Sequence, residues 1–181
     1  MSEEGTLQVY YDPSLGDGAG AGARRLAAKN QAISLHPTDD LCAAATRLSQ
    51  GEGDLMACSA EWAIANPTSG LTVVGTLARK EPTLIMVSDD KMEYLSKSAI
   101  IVAELELCRR QLLRARADLE IHTPQSIAEL SGIECPELND KVALATWLEE
   151  LRQKGEIDGF VISRSLFDAA NIKSRRHTLG L

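Results

Sequence analysis

Residues 51–59 read G-E-G-D-L-M-A-C-S, and residues 155–163 read G-E-I-D-G-F-V-I-S. Each copy follows a stretch with helical spacing and precedes a segment able to start another helix. Glycine takes the left-handed conformation that ends a helix. The Asp then sits in a turn, the short apolar run makes a buried strand, and the closing Ser caps the next helix. A unit of this kind stated twice predicts two similar α/β lobes, residues 1–80 and 81–181, in place of one continuous sheet. Strand-end serines in both lobes predict a small-molecule cleft between them.

Composition narrows the function classes. Hydrophobic residues make up 44% of the 181 residues and aromatic residues only 4%, so the core must be aliphatic and alanine-rich. The net charge of −7 argues against a nucleic-acid surface, which needs a basic stripe. Cys42, Cys58, Cys108 and Cys135 match no zinc or redox spacing. Cys42 and Cys58 fall in apolar segments as small hydrophobes, and the set reads as structural, in a reducing, cytoplasmic compartment. No apolar run reaches the ~18 residues that would span a bilayer, so no membrane partner is expected.

The elements follow from periodicity. Strands are expected at 7–11, 33–35, 55–58, 71–77, 84–87, 98–103, 119–121 and 160–162. Helices are expected at 21–29, 38–49, 59–64, 104–117, 123–132, 140–154 and 165–170. The run G-D-G-A-G-A-G at 16–22 reads as flexible, residues 78–82 as an extended crossover, and residues 173–181 as a tail. Strands alternating with helices predict parallel sheets, whose ligands bind outside the carboxyl ends of the strands. The residues there are 11–14, Ser59, Ser88, Glu104 and Ser163.

The candidate constellations are few. The glycine run has neither the G-x-x-x-x-G-K-[ST] nor the G-x-G-x-x-G pattern of a phosphate loop. Ser59 and Ser163 stand where strand becomes helix; each hydroxyl, with nearby amides, either holds an anionic ligand group or only caps its own helix. Arg109 and Arg110 read either as a solvated face with Glu104 and Glu106 one turn back or as a guanidinium fork for a carboxylate. His36, His122 and His177 are widely separated, so no triad is argued, and no metal set emerges. Trp62 and Trp147 read as packing residues.

Several segments together resemble the porphobilinogen deaminase (hydroxymethylbilane synthase) family, in its first two domains. G-E-G-D-L-M-A-C-S at 51–59 resembles that family's G-E-A-D-I-A-V-H-S. A-R-K-E-P-T-L-I-M-V-S at 78–88 resembles its K-R-E-D-P-R-D-A-F-V-S, and L-R-Q-K-G-E-I-D-G-F-V-I-S at 151–163 resembles its L-x-x-G-E-Y-D-A-I-V-L-A. R-R-Q-L-L-R-A-R-A-D-L-E-I at 109–121 resembles R-R-Q-x-Q-L-L-x-R-R-P-D-L-E-I with two residues missing. The resemblance implies two small α/β lobes of the periplasmic-binding type around a cleft. It implies a family that condenses four porphobilinogen molecules on a dipyrromethane cofactor held by a cysteine of a third domain.

The departures bear on chemistry. The family's catalytic Asp in V-H-S-M-K-D falls on Trp62, and its Lys on Glu61. Its first-strand Arg falls on Asp12, leaving only Ser14 of that motif. The S-L-R-R pair aligns with Arg109 and Arg110 in one direction and with Leu107 and Cys108 in the other. Acidic groups in place of basic ones repel the substrate's carboxylates, and a tryptophan cannot stabilise a developing methylene-pyrrole cation. The expectation is therefore a deaminase-like homologue with no catalytic residue and no dipyrromethane cofactor. Its ligand-binding residues would be Ser14, Ser59, Arg109, Arg110 and Ser163. The alternatives are an active hydroxymethylbilane synthase completed by another chain, and a non-catalytic interaction module. The face that a third domain would cover predicts a homo-oligomer.

Overall fold

The computed structural model describes residues 5–77 and 84–179, without the side chain of Glu61. The crossover expected over 78–82 lies outside the described residues. The chain divides into two compact units, Met1–Lys80 and Glu81–Leu181. Both are α/β.

The first unit runs β1 (Leu7–Tyr11), α1 (Gly18–Lys29), β2 (Ile33–Pro37), α2 (Leu41–Ser49), β3 (Leu55–Ala57) and α3 (Ala60–Ala65). Its three strands are parallel in the order β2-β1-β3, with Val9 opposite both Leu35 and Leu55. The core is small: Val9, Ala23, Leu41, Ala44 and Ala45 are buried. The glycine run is not a flexible loop. Asp17 caps α1 by accepting from the Gly20 amide at 2.9 Å, so the helix begins at Gly18. Glycine is needed there for contact. A β-carbon on Gly20 would stand 3.3 Å from the Asp12 carbonyl oxygen, whereas one on Gly22 would meet only the movable tip of the exposed Leu77 side chain.

Two further expectations for this unit fail. Residues 71–77 form no strand; Val73 and Val74 are about three-quarters exposed (75% and 76%). β-branched residues make a strand only when a neighbour completes the ladder and a layer covers the face. Cys42 is exposed and does not act as a small core hydrophobe, because it stands on the outer side of α2, whose inward positions are Leu41, Ala44 and Ala45.

The second unit runs β4 (Leu84–Ser88), a 3-10 turn (Met92–Tyr94), β5 (Ile100–Ala103), α4 (Glu106–Ala115), β6 (Glu120–His122) and α5 (Pro124–Ser131). It continues with α6 (Lys141–Gln153), β7 (Gly159–Ser163), α7 (Arg164–Ala169) and β8 (Arg176–Thr178). The sheet order is β6-β5-β7-β4-β8. It is mixed where a parallel sheet was expected: β4 runs antiparallel to both β7 and β8. The expected tail contains β8, an edge strand too short and polar to show as one in sequence. Pairing on β4 and burial of Leu179, whose amide donates to the Leu84 carbonyl at 3.0 Å, hold it in place.

Alternate strand residues feed two apolar layers. Ile85, Val87, Val102, Phe160 and Ile162 pack with Ile127, Leu144, Leu148, Leu151 and Phe167 from α5, α6 and α7. Met86, Ile101, Ala103 and Val161 face the other way, onto Cys108 and Leu112 of α4 and onto Leu179. The α5 boundaries match their sequence signals: Thr123 caps the Ser126 amide, Pro124 opens the helix, and Gly132 closes it in the left-handed conformation.

Candidate functional site

The duplicated stretch builds the same backbone device in each unit. Gly51 (φ 82°) and Gly155 (φ 75°) end α2 and α6 in the left-handed conformation. The Glu52 amide returns to the Arg47 carbonyl at 2.9 Å and the Gly51 amide to Leu48 at 3.0 Å. In the second unit the Glu156 amide returns to Leu151 and the Gly155 amide to Arg152, both at 3.0 Å. This pair of bonds satisfies the carbonyls that the last helical turn leaves open.

The aspartate is the next shared part. The Asp54 carboxylate accepts from the Gln8 amide at 2.8 Å while its own amide donates to the Gln8 carbonyl at 3.1 Å. Asp158 does the same to Ile100, at 2.7 and 2.9 Å. Each Asp clamps a residue in the first two positions of the neighbouring parallel strand, and so sets the register. The closing serines are caps: Ser59 accepts from the Trp62 amide at 3.1 Å, and Ser163 from the Leu166 amide at 3.2 Å. Sequence reasoning found the glycines and serines but missed the clamp. The recurring Asp was its visible signal.

At the carboxyl edge of the first sheet, Tyr11 pairs with Ala57, so the residues that follow β1 and β3 are neighbours. Asp12 is buried, and its carboxylate accepts from the Ser14 amide at 2.8 Å and the Ser14 hydroxyl at 2.6 Å. The Ser14 hydroxyl is thereby engaged inside the turn. Cys58 lies at the same edge. Burial first, and then the negative charge of Asp17, push its thiol above the ordinary range, so it is not a thiolate nucleophile at neutral pH. The structure brings Ser14, Asp12 and the Ser59 cap to this one edge.

The second sheet's carboxyl edge carries Glu104, Thr123 and Ser163 after β5, β6 and β7. Lys141 reaches Glu104 at 2.6 Å. Beneath that pair a crevice of about 20 Å³, lined by Pro124, Leu144, Leu148, Ile162 and Leu166, has room for one water. The Ser163 hydroxyl lies 3.1 Å from that of Ser165, and His122 Nδ1 lies 3.2 Å from the Ser126 hydroxyl. Ser88 is not at this edge. Because β4 is antiparallel, Ser88 sits at the opposite end, buried, donating to the Asp90 carbonyl at 2.7 Å.

Arg109 and Arg110 both grip Glu106, at 2.7 and 2.8 Å. The fork that the sequence offered to a ligand carboxylate is filled by a carboxylate of the same helix, while Glu104 turns to Lys141. The hydrogen bond from Arg110, set against a desolvation cost, holds the Glu106 carboxyl below its ordinary range. Arg109 also donates to the Ile121 carbonyl at 3.4 Å, and its Nε is buried without a partner among the described residues. No group of three or more His, Cys, Asp or Glu suited to a metal occurs among the described residues. No described helix is long and apolar enough to cross a membrane.

No family model and no curated protein matches the chain. Solved structures do. An ancestral cationic amino acid solute-binding protein matches over 98% of this chain and 78% of its own, at 15% identity and a TM-score of 0.49. The ligand-binding component of an ABC-type import system from Staphylococcus aureus, with zinc bound, matches over 97% of this chain at 12% identity and a TM-score of 0.44. The periplasmic aliphatic sulphonate binding protein SsuA from Escherichia coli matches over 97% at 17% identity and a TM-score of 0.43. The chain spans 60% of the length of each of the last two.

Proposed function

We propose that this protein binds a small organic molecule at the carboxyl edge of the parallel strands of its first unit, beside Ser59, without catalysing pyrrole condensation. One observation carries the reading: the same helix–turn–strand–helix device ends, in each unit, on a serine at the strand edge where α/β sheets take ligands. Ser59 spends its lone pair on the cap, which leaves its hydroxyl proton to donate to a ligand oxygen. The kinship to the deaminase family that the sequence segments suggest belongs to this proposal as ancestry of scaffold, not of chemistry. Supporting that view, Asp12 stands where an arginine would be and is committed to Ser14. Trp62 stands where the catalytic carboxylate would be, inside α3. Four unpaired thiols support a reducing compartment.

Thermal shift against a panel of small organic acids, amines and pyrroles tests the binding. A compound that raises Tm by several degrees, as native-state binding must, supports it. Ser59→Asp then separates the roles: it keeps a capping oxygen but loses the donor proton, so stability holds and the ligand-induced shift falls. Equal shifts in both proteins sink the assignment to Ser59. Appearance of uroporphyrin absorbance on incubation with porphobilinogen sinks the non-catalytic reading.

A further inference from the structure

The edge strand β8 brings little apolar surface of its own to the sheet. Arg176 and Thr178 are exposed, and the pairing with β4 covers three positions before the buried Leu179. Upstream, Asn171 turns the chain out of α7, and Ile172 is buried in the layer that holds Phe167. The segment between these two buried side chains is fastened by polar contacts.

Those contacts meet at its entry. The side chains of Glu149 and Arg152, on α6, are nine-tenths buried and pair at 3.0 Å. Ser174 touches both: its hydroxyl donates to Glu149 Oε1 at 2.5 Å and accepts from Arg152 at 2.8 Å. Arg152 also reaches Asp89, which follows β4, at 2.9 Å, and Gln153 donates to Glu149 at 2.8 Å. Arg175 adds a bond to the Asp89 carbonyl at 3.0 Å, and the Arg176 guanidinium lies 4.7 Å from the centre of the Phe167 ring. Glu149 keeps Arg152 and Gln153 if Ser174 leaves, so the buried pair stays satisfied and ready to receive the serine again.

One group works against docking. His177 stands opposite Met86, and its Nε2 is buried with no hydrogen-bond partner among the described residues. A buried polar atom left unpaired costs the hydration it gave up, and release of the segment restores that hydration.

We propose that residues 173–179 form a two-state strap, docked as β8 or released to solvent, held closed by Ser174 on the Glu149–Arg152 pair and pushed open by the His177 imidazole. Release leaves the order β6-β5-β7-β4 intact and bares the backbone edge of β4 at residues 85–87. Openings of this kind, with few buried apolar contacts to break, lie at the low end of local stability.

Amide exchange on the full chain tests this at two places. The Leu179 amide, which donates to the Leu84 carbonyl, reports the strap, and the Val161 amide, in the central strand β7, reports the sheet. In the parent, Leu179 should exchange faster than Val161. Low urea should hasten Val161 steeply and Leu179 hardly, because releasing a strap exposes little surface. Ser174→Ala should speed Leu179 about ten-fold, the loss of a hydrogen bond to a charged partner. His177→Leu should slow it by about the same factor, since the unpaired nitrogen is gone. Opposite signs from two changes three residues apart distinguish a poised strap from an ordinary packed strand, in which both would loosen. The same urea dependence at Leu179 and Val161, faster exchange in His177→Leu, or a parent rate in Ser174→Ala overturns the proposal.

Discussion

The two copies of the duplicated device share their hydrogen bonds and differ in what surrounds them. In the first unit, β3 is an edge strand that pairs, among the described residues, with β1 alone, and its residues are half-buried. In the second, β7 lies between β5 and β4, and Gly159 through Ile162 are buried on both faces. The variable position of the turn follows suit. Ile157 enters the core, whereas Gly53 takes φ 111° and lies under the Tyr10 ring, where a β-carbon would come within 2.7 Å. Local bonds thus dictate the shape of the device. The number of layers packed on it dictates how much stability rests on it.

The largest expected contrast is in packing. Phe160→Ala opens a cavity in the fully buried strand and should cost about 3–5 kcal/mol. Leu55→Ala, half-buried, should cost about half as much or less. Denaturant unfolding checks this with Trp147 reporting the second unit and Trp62 the first, each in a variant lacking the other tryptophan. Equal costs would break the contrast.

Next comes the turn itself. Gly53→Ala combines left-handed strain with the Tyr10 collision and should cost about 2 kcal/mol. Gly51→Ala, which has open space around its β-carbon position, should cost roughly 1 kcal/mol from conformation alone. Unfolding midpoints of the two variants, read through Trp62, give the comparison.

The clamps should behave alike. Asp54→Ala and Asp158→Ala each remove a short bond at an exposed position, worth about 1 kcal/mol. Amide exchange at Gln8 and Ile100 should speed up in the matching variant only. Unlike effects would show that burial of the strand reaches even this exposed bond.

Acid should part the units by slope. In the second unit the hydrogen bond from Arg116 holds the Asp118 carboxyl at about 2, below its usual 3.8. Burial alone would raise Glu149, but hydrogen bonds from Arg152, Ser174 and Gln153 outweigh it and hold it low. A carboxyl lowered in the folded state contributes fully above its unfolded value and loses that contribution as pH falls through its folded value. Stability of the second unit should therefore decline between about pH 4 and pH 2. Arg116→Gln should flatten that decline, measured by Trp147 unfolding at stepped pH.

Much of the candidate edge was visible before any fold was known. The serine caps, the α5 boundaries and the glycine stops announce themselves because capping is a matter of a few neighbouring residues. The arginine pair was legible both as a ligand fork and as the partner of the glutamates one turn back, and the second reading holds for Glu106. Choosing Glu106 over a ligand depends on side-chain reach in the folded helix. The glycine run misled because composition reports flexibility, while the close approach of Gly20 to the Asp12 carbonyl favours a residue without a side chain.

By itself the sequence determined the local grammar of this protein: where helices stop, where strands start, and that one device occurs twice. Those features arise from bonds among residues a few positions apart. Only the tertiary structure decided that β4 turns against its neighbours, that residues 176–178 become a strand, and that 71–77 do not. Strand pairing is a bond between distant segments, and an isolated segment carries no record of which partner will reach it.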